Sequence, residues 1–466
     1  MKKIAAILLV ILCVVQCFPQ RVFATTGTEE GCNTLQAENT LAGDHAYTGT
    51  AKAALLYEMN SQTLVYTHNP DVPINPTGLV KLLTALIVLE EGNLEDIVTV
   101  KRSTLNSVGV GAVSAGLKSG EEIRLQDLLY CVMVSSANDA AAVMAEHVAG
   151  SQSAFVEKMN ARAATLGCGN THFTNVHGLK DDRQRSTARD LAVVVAEALK
   201  NEEFCRMFGI VNYTVPATNM SDSRQLSTTN YMMNPESKYY DERVIGGKPA
   251  AATTTDRSMI CIAQEGNSRY LCVIISAQAK TSGGMITRYT NFDEAKNLLS
   301  MGFEGFALQQ VMGTEQPFGL YPVTGGQNHV VVGPDQAVYA LLPIDFEQGQ
   351  LTFRDVPDES MLKAPLKAGV TVGILEIRYG NLLIGRVNLL SRHAVAADDA
   401  GYVTPDENRE PMGGIARVVI LFVAGVLVVL CIGVGLLMVL RRRNRARVCK
   451  KGGNHANAIW DERRED

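Results

Sequence analysis

The sequence has little of what several classes of protein require. Its 466 residues include 43 lysines and arginines against 48 aspartates and glutamates, and the net charge of −5 excludes a strongly basic nucleic-acid binder. With only 15 prolines and 46% hydrophobic residues, wholesale disorder and a collagen-like or mucin-like chain are also excluded. The ten cysteines form no CxxC pair and are too dilute for a disulfide scaffold. No glycine-rich phosphate loop follows a predicted strand, so we expect neither a metal nor another cofactor.

Apolar segments near both ends of the chain indicate export and membrane attachment. Two lysines precede an apolar run over 4–15, and the small residue Ala24 offers a cleavage site, so residues 1–24 are predicted to be a signal peptide that is removed. A lipoprotein alternative at Cys17 is disfavoured because the residue before it is a glutamine, which is not small.

The second apolar segment is long enough to span a membrane. Residues 418–440 carry no charge, and at 1.5 Å per residue a helix of this length crosses a hydrocarbon core of about 30 Å. We therefore predict a transmembrane helix over 415–440. Seven lysines and arginines follow at once, and the positive-inside rule places the basic tail, 441–466, in the cytoplasm. The expected location is the cell membrane, with one span and the N-terminal domains outside.

Between these segments, the hydrophobic periodicity predicts an α+β fold with an antiparallel sheet. Apolar runs on either side of residues 60–62 indicate one β-hairpin, and two runs that flank Gly266-Asn267 indicate another. Leucines at helical spacing predict a helix from about Leu79 that ends at Gly92. Further helices are predicted at 125–134, 137–148, 153–166 and 187–199.

After about residue 305 the sequence changes to short β-like pieces, which predicts a second, all-β domain. These strand-like runs cover 329–332, 337–342, 370–377 and 382–389. Residues 397–414 are mostly polar, and such a composition cannot bury a core. We interpret this segment as a stalk that leads to the membrane.

One short motif, Ser136-Ala137-Asn138, lies between two predicted helices and is weak evidence by itself. Serine and asparagine are also common at helix caps, so a structural role explains the motif alone. Three further stretches support a functional role, namely residues 55–58 with the later Asn69, residues 173–179 and residues 186–190. Together these stretches resemble the D-alanyl-D-alanine carboxypeptidases, the low-molecular-mass penicillin-binding proteins of bacterial cell-wall maturation. The resemblance extends from about residue 53 to residue 395.

The resemblance implies both a fold and a chemistry. The implied fold is a penicillin-binding or β-lactamase-like domain, with a helical region and an antiparallel sheet, followed by a small all-β domain and one transmembrane helix. Members use three motifs, Ser-x-x-Lys, Ser-x-Asn and Lys-Thr-Gly. The first lysine takes the proton of a serine one helical turn earlier, the second motif relays protons and holds the substrate amide, and the third binds the terminal carboxylate at a strand edge. The implied ligand is the D-alanyl-D-alanine end of peptidoglycan stem peptides.

The first motif is broken in this chain, whereas the second is complete. Residues 76–81 read Pro-Thr-Gly-Leu-Val-Lys, so the nucleophile position is Gly78, which has no side chain to acylate, while Lys81 is kept. Ser136 and Asn138 match the second motif. The resemblance therefore assigns catalytic positions to these four residues, the first of them vestigial.

The third motif is also broken. Residues 246–250 read Gly-Gly-Lys-Pro-Ala, so Lys248 is kept, a hydroxyl is lost at Pro249 and a methyl group is added at Ala250. Proline also removes an N–H that an incoming peptide strand could use. By resemblance these three residues are the substrate-binding positions.

Two other segments could supply missing groups. Thr77 lies four residues before Lys81 and could share a helical face with it, but it is one residue too early and its secondary hydroxyl is crowded. Residues 280–283, Lys-Thr-Ser-Gly, resemble a third motif, but they follow the predicted hairpin and are interpreted as a solvated turn. His177 is interpreted as a hydrogen-bonded structural residue and not as a base.

The predicted hairpin around Gly266-Asn267 places two cysteines opposite one another. Cys261 and Cys272 each lie five residues outside the turn, and directly opposed strand residues come within disulfide range. Export would permit the bond. A disulfide and two free thiols that fill a sheet face both remain open.

The favoured hypothesis is a catalytically impaired, membrane-anchored member that binds stem peptides or other envelope proteins. An active carboxypeptidase with an unusual nucleophile and an envelope scaffold that uses no pocket are the alternatives. The predicted divisions are a signal peptide (1–24), a carboxypeptidase-like domain (46–303), a C-terminal β domain (304–395), a stalk (396–414), a transmembrane helix (415–440) and a cytoplasmic tail (441–466).

Overall fold

A computed structural model describes residues 35, 40–42, 48–109 and 111–398. The predicted signal peptide, the transmembrane helix, the basic tail and nearly all of the stalk lie outside these described residues. Within them, no helix combines the length and the apolar character that a membrane span needs.

The helices of the described residues fall mainly in the middle of the chain. They are α1 (Val80–Glu91), α2 (Arg102–Ser107), α3 (Leu125–Val134), α4 (Asn138–Ala149), α5 (Gln152–Thr165), α6 (Ala188–Ala198), α7 (Glu202–Phe208) and α8 (Thr290–Gly305), with 3-10 turns at Thr77–Leu79, Tyr231–Met233 and Gln348–Gln350. The helices predicted from periodicity are confirmed to within one residue at each end for α3 to α6.

The strands form one large sheet beside the helices and further sheets after α8. In chain order they are β1 (Ala53–Glu58), β2 (Thr63–His68), β3 (Ile97–Thr99), β4 (Glu122–Arg124), β5 (Asn212–Val215), β6 (Arg224–Ser227), β7 (Val244–Ala251), β8 (Asp256–Glu265), β9 (Ser268–Gln278), β10 (Lys280–Ser282), β11 (Met285–Arg288), β12 (Phe306–Met312), β13 (Gly319–Tyr321), β14 (Val330–Pro334), β15 (Val338–Pro343), β16 (Leu351–Pro357), β17 (Thr371–Tyr379) and β18 (Leu382–Ser391).

The large sheet has the strand order β2-β1-β9-β8-β7, and every neighbouring pair is antiparallel. Successive side chains of a strand point to opposite faces, and both faces of β1 are buried. Leu55 and Tyr57 pack with the helices α1 to α7, whereas Leu56 packs with α8. The sheet therefore lies between two helical layers, and the predicted α+β fold with an antiparallel sheet is confirmed.

The second predicted hairpin is also confirmed, because Gly266 and Asn267 alone separate β8 from β9. Cys261 lies directly opposite Cys272 in this ladder, as the turn position predicts. Both cysteines are buried, and both are free thiols in the structure.

Residues 280–283 differ from the interpretation of a simple solvated turn. They form β10, which pairs with β11 across Gly283 and Gly284, both of which have a positive φ. All three residues of β10 are exposed, which agrees with the expected solvation, whereas the hairpin differs from the expected turn.

After α8 the described chain is almost entirely β. One sheet has the order β13-β14-β18-β17-β16, and β12 pairs with β15. Its two edges approach each other, because Tyr321 of β13 donates a hydrogen bond of 2.5 Å to Asp355 of β16. These strands share a hydrophobic core separate from those of the large sheet. The domain boundary at residue 304 stays a prediction.

Candidate active site

The nucleophile position lies in the 3-10 turn that leads into α1. Gly78 is the middle residue of this turn. A Cβ atom at Gly78 would lie 3.5 Å from the Cβ of Ala250, 3.6 Å from the Oγ of Ser136 and 4.0 Å from the Nζ of Lys81. The turn thus brings the three sequence motifs together around a residue that has no side chain.

The alternative nucleophile, Thr77, is buried and lies outside the cavity lining. Its Oγ1 atom is buried and has no hydrogen-bond partner within the described residues, and Thr77 does not line the adjoining cavity. The residue has a φ of +48°, and Gly178 packs directly against it. A Cβ at Gly178 would lie only 1.8 Å from the carbonyl oxygen of Thr77, so this close approach requires glycine.

The first lysine is buried in a helix whose other residues up to Leu89 are apolar except for Thr84. Lys81 is only 2% exposed, and every residue of α1 from Val80 to Val88 is buried. Its Nζ donates hydrogen bonds to Asn138 Oδ1 at 2.8 Å and to the carbonyl oxygen of His177 at 2.5 Å. Burial, and then the positive charge of Lys248, holds the pKa of Lys81 well below its usual value of 10.5. A buried, unpaired lysine with a lowered pKa has the properties of a proton acceptor.

The second motif occupies the junction between α3 and α4. Ser136 has a φ of +62°, and Asn138 begins α4. The side chain of Asn138 links two elements, because Oδ1 accepts from Lys81 while Nδ2 donates to the carbonyl oxygen of Val113 at 3.0 Å. Asn138 therefore holds the first lysine against the loop that contains Val113.

The third motif lies on β7, an edge strand of the large sheet. Lys248 is 1% exposed, and its Nζ donates to the carbonyl oxygens of Val132 at 2.9 Å and Met133 at 3.2 Å, at the end of α3. Burial lowers the pKa of Lys248 to about 7. Pro249 and Ala250 follow it, and an edge strand is the place in a sheet where proline is tolerated.

A cavity of about 440 Å³ joins these elements. The sequence-predicted residues that line it are Gly78, Lys81, Ser136, Asn138, Pro249 and Ala250. Lys248 is the predicted site residue that does not line it. None of the residues described as lining the cavity is an aspartate or glutamate, whereas Arg257 carries a positive charge, so the cavity favours an anionic ligand.

Sequence reasoning missed one side of this cavity. Arg257, Asn291 and three aromatic residues, Tyr231, Tyr289 and Phe292, also line it. The rings of Tyr231 and Phe292 lie 5.6 Å apart, and the Arg257 guanidinium lies 4.8 Å from the ring centroid of Tyr289. In the sequence, Arg257 is only a charge next to a predicted strand. Its place in the site follows from the pairing of β7 with β8, a hairpin that the sequence analysis does not predict.

His177 has the structural role that the sequence suggested. Its ring Nδ1 accepts a hydrogen bond of 3.2 Å from the N–H of Leu179, and its carbonyl oxygen accepts from Lys81. Burial, and then the charge of Lys81, lowers the pKa of His177 to about 4. A neutral imidazole therefore supports the backbone that holds the first lysine.

Comparison with known proteins identifies the family. The model of the D-alanyl-D-alanine carboxypeptidase family matches residues 40–279. The D-alanyl-D-alanine carboxypeptidase DacD of Salmonella typhimurium is 28% identical over 74% of this chain and 86% of its own length, and DacA of Escherichia coli is 28% identical over 70% and 79%. Penicillin binding protein 5 from Haemophilus influenzae superposes with a TM-score of 0.58 at 25% identity, over 76% of this chain and all of that structure. The chain therefore belongs to the D-alanyl-D-alanine carboxypeptidase family.

Proposed function

We propose that this protein is a catalytically impaired member of its family, which binds the D-alanyl-D-alanine end of peptidoglycan stem peptides without releasing D-alanine. Family membership supports the ligand, since the activity named by the family acts on peptidoglycan. The observation that carries the impairment is Gly78. Lys81, which would take the proton of a nucleophile, and Ser136, which would relay it, lie beside a position that has no oxygen to accept the acyl group.

Acylation needs an oxygen that attacks the substrate carbonyl while a base takes its proton. The environment of Lys81 suits a base, because burial favours its neutral form. In this chain the hydrogen-bond partners of its Nζ are a carboxamide and a backbone carbonyl, and neither is a nucleophile. The proton-transfer apparatus is kept, but the covalent step has no atom on which to occur.

The cavity still suits a peptide. β7 is hydrogen-bonded to β8 on one side, and no described strand pairs with its other side, so an extended peptide can lie along it. Pro249 supplies no N–H and no hydroxyl, and the methyl group of Ala250 narrows the space beside Gly78. We expect binding that is weaker and less geometrically exact than in a complete site, which again disfavours turnover.

An active carboxypeptidase with an unusual nucleophile is the second candidate. The hydroxyl of Thr77 is buried and Thr77 does not line the cavity, which argues against this candidate. A scaffold that uses no pocket is the third. The cavity argues against it, because a pure spacer has no need of Lys81 and Asn138 buried beside a cavity of about 440 Å³.

The proposal includes the location. We propose that residues 1–24 direct export, that 415–440 anchor the chain in the cell membrane, and that the tail 441–466 is cytoplasmic. The cavity would then lie outside the cell, where it can meet peptidoglycan and other envelope proteins.

Fluorescent penicillin followed by mass spectrometry of the full-length protein tests the impairment. We expect no covalent adduct, with Gly78→Ser as the positive control for the probe. A stable mass increase equal to the antibiotic, mapped to Thr77 or Ser136 in the unsubstituted protein, would overturn the proposal.

A further inference from the structure

A second group of polar side chains lines the same cavity, next to the end of the third family motif. Arg257 is directly opposite Ala251 in the β7-β8 ladder, and opposed side chains of neighbouring strands lie about 4.5–5.5 Å apart at Cβ. Arg257 therefore projects beside the end of the third motif, one residue beyond Ala250. Both Ala251 and Arg257 line the cavity.

The guanidinium of Arg257 is held in place and keeps N–H groups that can donate to a ligand. Its Nε donates to the carbonyl oxygen of Thr254 at 3.0 Å, and the plane lies 4.8 Å from the Tyr289 ring centroid. Within the described residues, no carboxylate forms an ion pair with it. Its two terminal nitrogens have the spacing that binds both oxygens of a carboxylate.

The N-terminus of α8 adds to the positive potential at this place. The cavity is lined by Tyr289, Asn291 and Phe292, which are the N-cap and first-turn residues of a 16-residue helix without a side-chain cap. Such a terminus favours an anion. Asp293, in the same turn, pairs with Arg288 at 2.6 Å and does not line this cavity.

Asn291 provides an independent indication of a ligand. It is only 1% exposed, yet its Oδ1 has no hydrogen-bond partner within the described residues, and its Nδ2 makes only a long contact of 3.4 Å to the Ser258 carbonyl. A buried acceptor without a donor is costly unless a ligand satisfies it. The C-terminal residue of a peptide carries both groups that fit, a carboxylate for Arg257 and an amide N–H for Asn291.

We infer that Arg257 and Asn291 form the subsite for the terminal carboxylate and amide N–H of the bound peptide, in place of the hydroxyl lost at Pro249. This inference rests on the proposed function, since it assumes that the cavity takes a peptide end. On this inference, Arg257 selects peptides that have a free C-terminal carboxylate.

Calorimetric titration of the full-length protein with two synthetic peptides tests the subsite. One is an N-acetylated peptide that ends in D-alanyl-D-alanine as the free acid, and the other is the same peptide with a C-terminal amide. We expect the acid to bind at least tenfold more tightly. Arg257→Gln is expected to weaken acid binding by about 10- to 100-fold and to leave amide binding unchanged. Arg257→Lys keeps the charge but loses the two-point geometry, and it should give an intermediate loss.

The controls separate a local effect from a global one. Arg354→Gln makes the same charge change at an exposed residue of β16, outside the cavity, and should leave both affinities unchanged. Asn291→Leu should weaken both peptides alike, because both contain the amide N–H, and unchanged affinities would refute its role. Equal binding of acid and amide, or an unaltered preference in Arg257→Gln, would overturn the subsite while the proposed function stands. Failure of both peptides to bind the unsubstituted protein would overturn the proposed function together with the subsite.

Discussion

Restoring the serine at the nucleophile position should recover acylation but not turnover. The backbone of Gly78 accepts a side chain, because its φ lies outside the left-handed region and the nearest atom to a Cβ would be at 3.5 Å, an ordinary contact. The Cβ–Oγ bond of serine is about 1.4 Å long, similar to the N–Cα single bond of the backbone. From Cβ distances of 3.6 Å to Ser136 Oγ and 4.0 Å to Lys81 Nζ, that oxygen can reach hydrogen-bond distance of both.

The size of the remaining defect follows from the third motif. Pro249 supplies neither the hydroxyl nor the N–H that would hold the substrate, and the methyl group of Ala250 lies against the new side chain. Loss of one charge-assisted hydrogen bond costs about 1.5–3 kcal/mol, which is about 10- to 100-fold in rate. We therefore expect Gly78→Ser to be acylated slowly by penicillin and to release little D-alanine. The triple variant with Pro249→Thr and Ala250→Gly should release it about 10- to 100-fold faster.

Two measurements on each variant check this expectation: intact-protein mass after incubation with penicillin, and D-alanine release from a stem-peptide analogue. Gly169→Ser is the matched control, since a Cβ there meets nothing within 4 Å, and it should behave as the unsubstituted protein. Turnover by the single variant as fast as by the triple variant would refute our account of the third motif.

Three further predictions concern the support of the site. Gly178→Ala should lower the free energy of unfolding by about 2–5 kcal/mol in urea titrations, because a Cβ would lie 1.8 Å from the Thr77 carbonyl oxygen and φ is +81°. An unchanged urea midpoint would contradict the close approach of Gly178 to Thr77. Burial lowers the pKa of His177 from 6.5 to about 4, so between these pH values the unfolded state binds more protons than the folded state. The free energy of unfolding should therefore fall by up to about 3 kcal/mol as pH falls through this window. His177→Asn should flatten this pH dependence of stability, and the same pH dependence in the variant would count against the prediction. Alkylation of the unfolded, unreduced protein should label both Cys261 and Cys272, which are free in the structure, and protection of the pair would instead show a disulfide.

Local patterns predicted the elements that carry their own signals. The helix α1 ends where Gly92 stops the leucine repeat, and two residues between apolar runs placed the β8-β9 turn and with it the register of Cys261 and Cys272. The helix α8 was missed although its buried residues Phe292, Ala295 and Leu299 recur at helical spacing.

Only the residues of the three family motifs could be placed in the site from the sequence. Gly78, Lys81 and Asn138 could be placed in one cavity because the family order of the motifs relates them, and the structure does bring them together. Arg257 and Asn291 lie outside the three family motifs, and they meet because β7 pairs with β8 and α8 begins beside them. The β7-β8 hairpin is local, but α8 follows only after three further strands, and its approach to the hairpin leaves no local pattern in the chain.

The central claim is that the cavity binds the stem-peptide end without cleaving it. Mass spectrometry of a D-alanyl-D-alanine peptide after prolonged incubation with stoichiometric full-length protein tests this claim most directly. We predict that the peptide keeps its full mass with the unsubstituted protein, because no oxygen stands at Gly78 to attack the terminal amide. Loss of one D-alanine from the peptide, absent in a parallel incubation with Lys81→Met, would show a working carboxypeptidase and contradict the account.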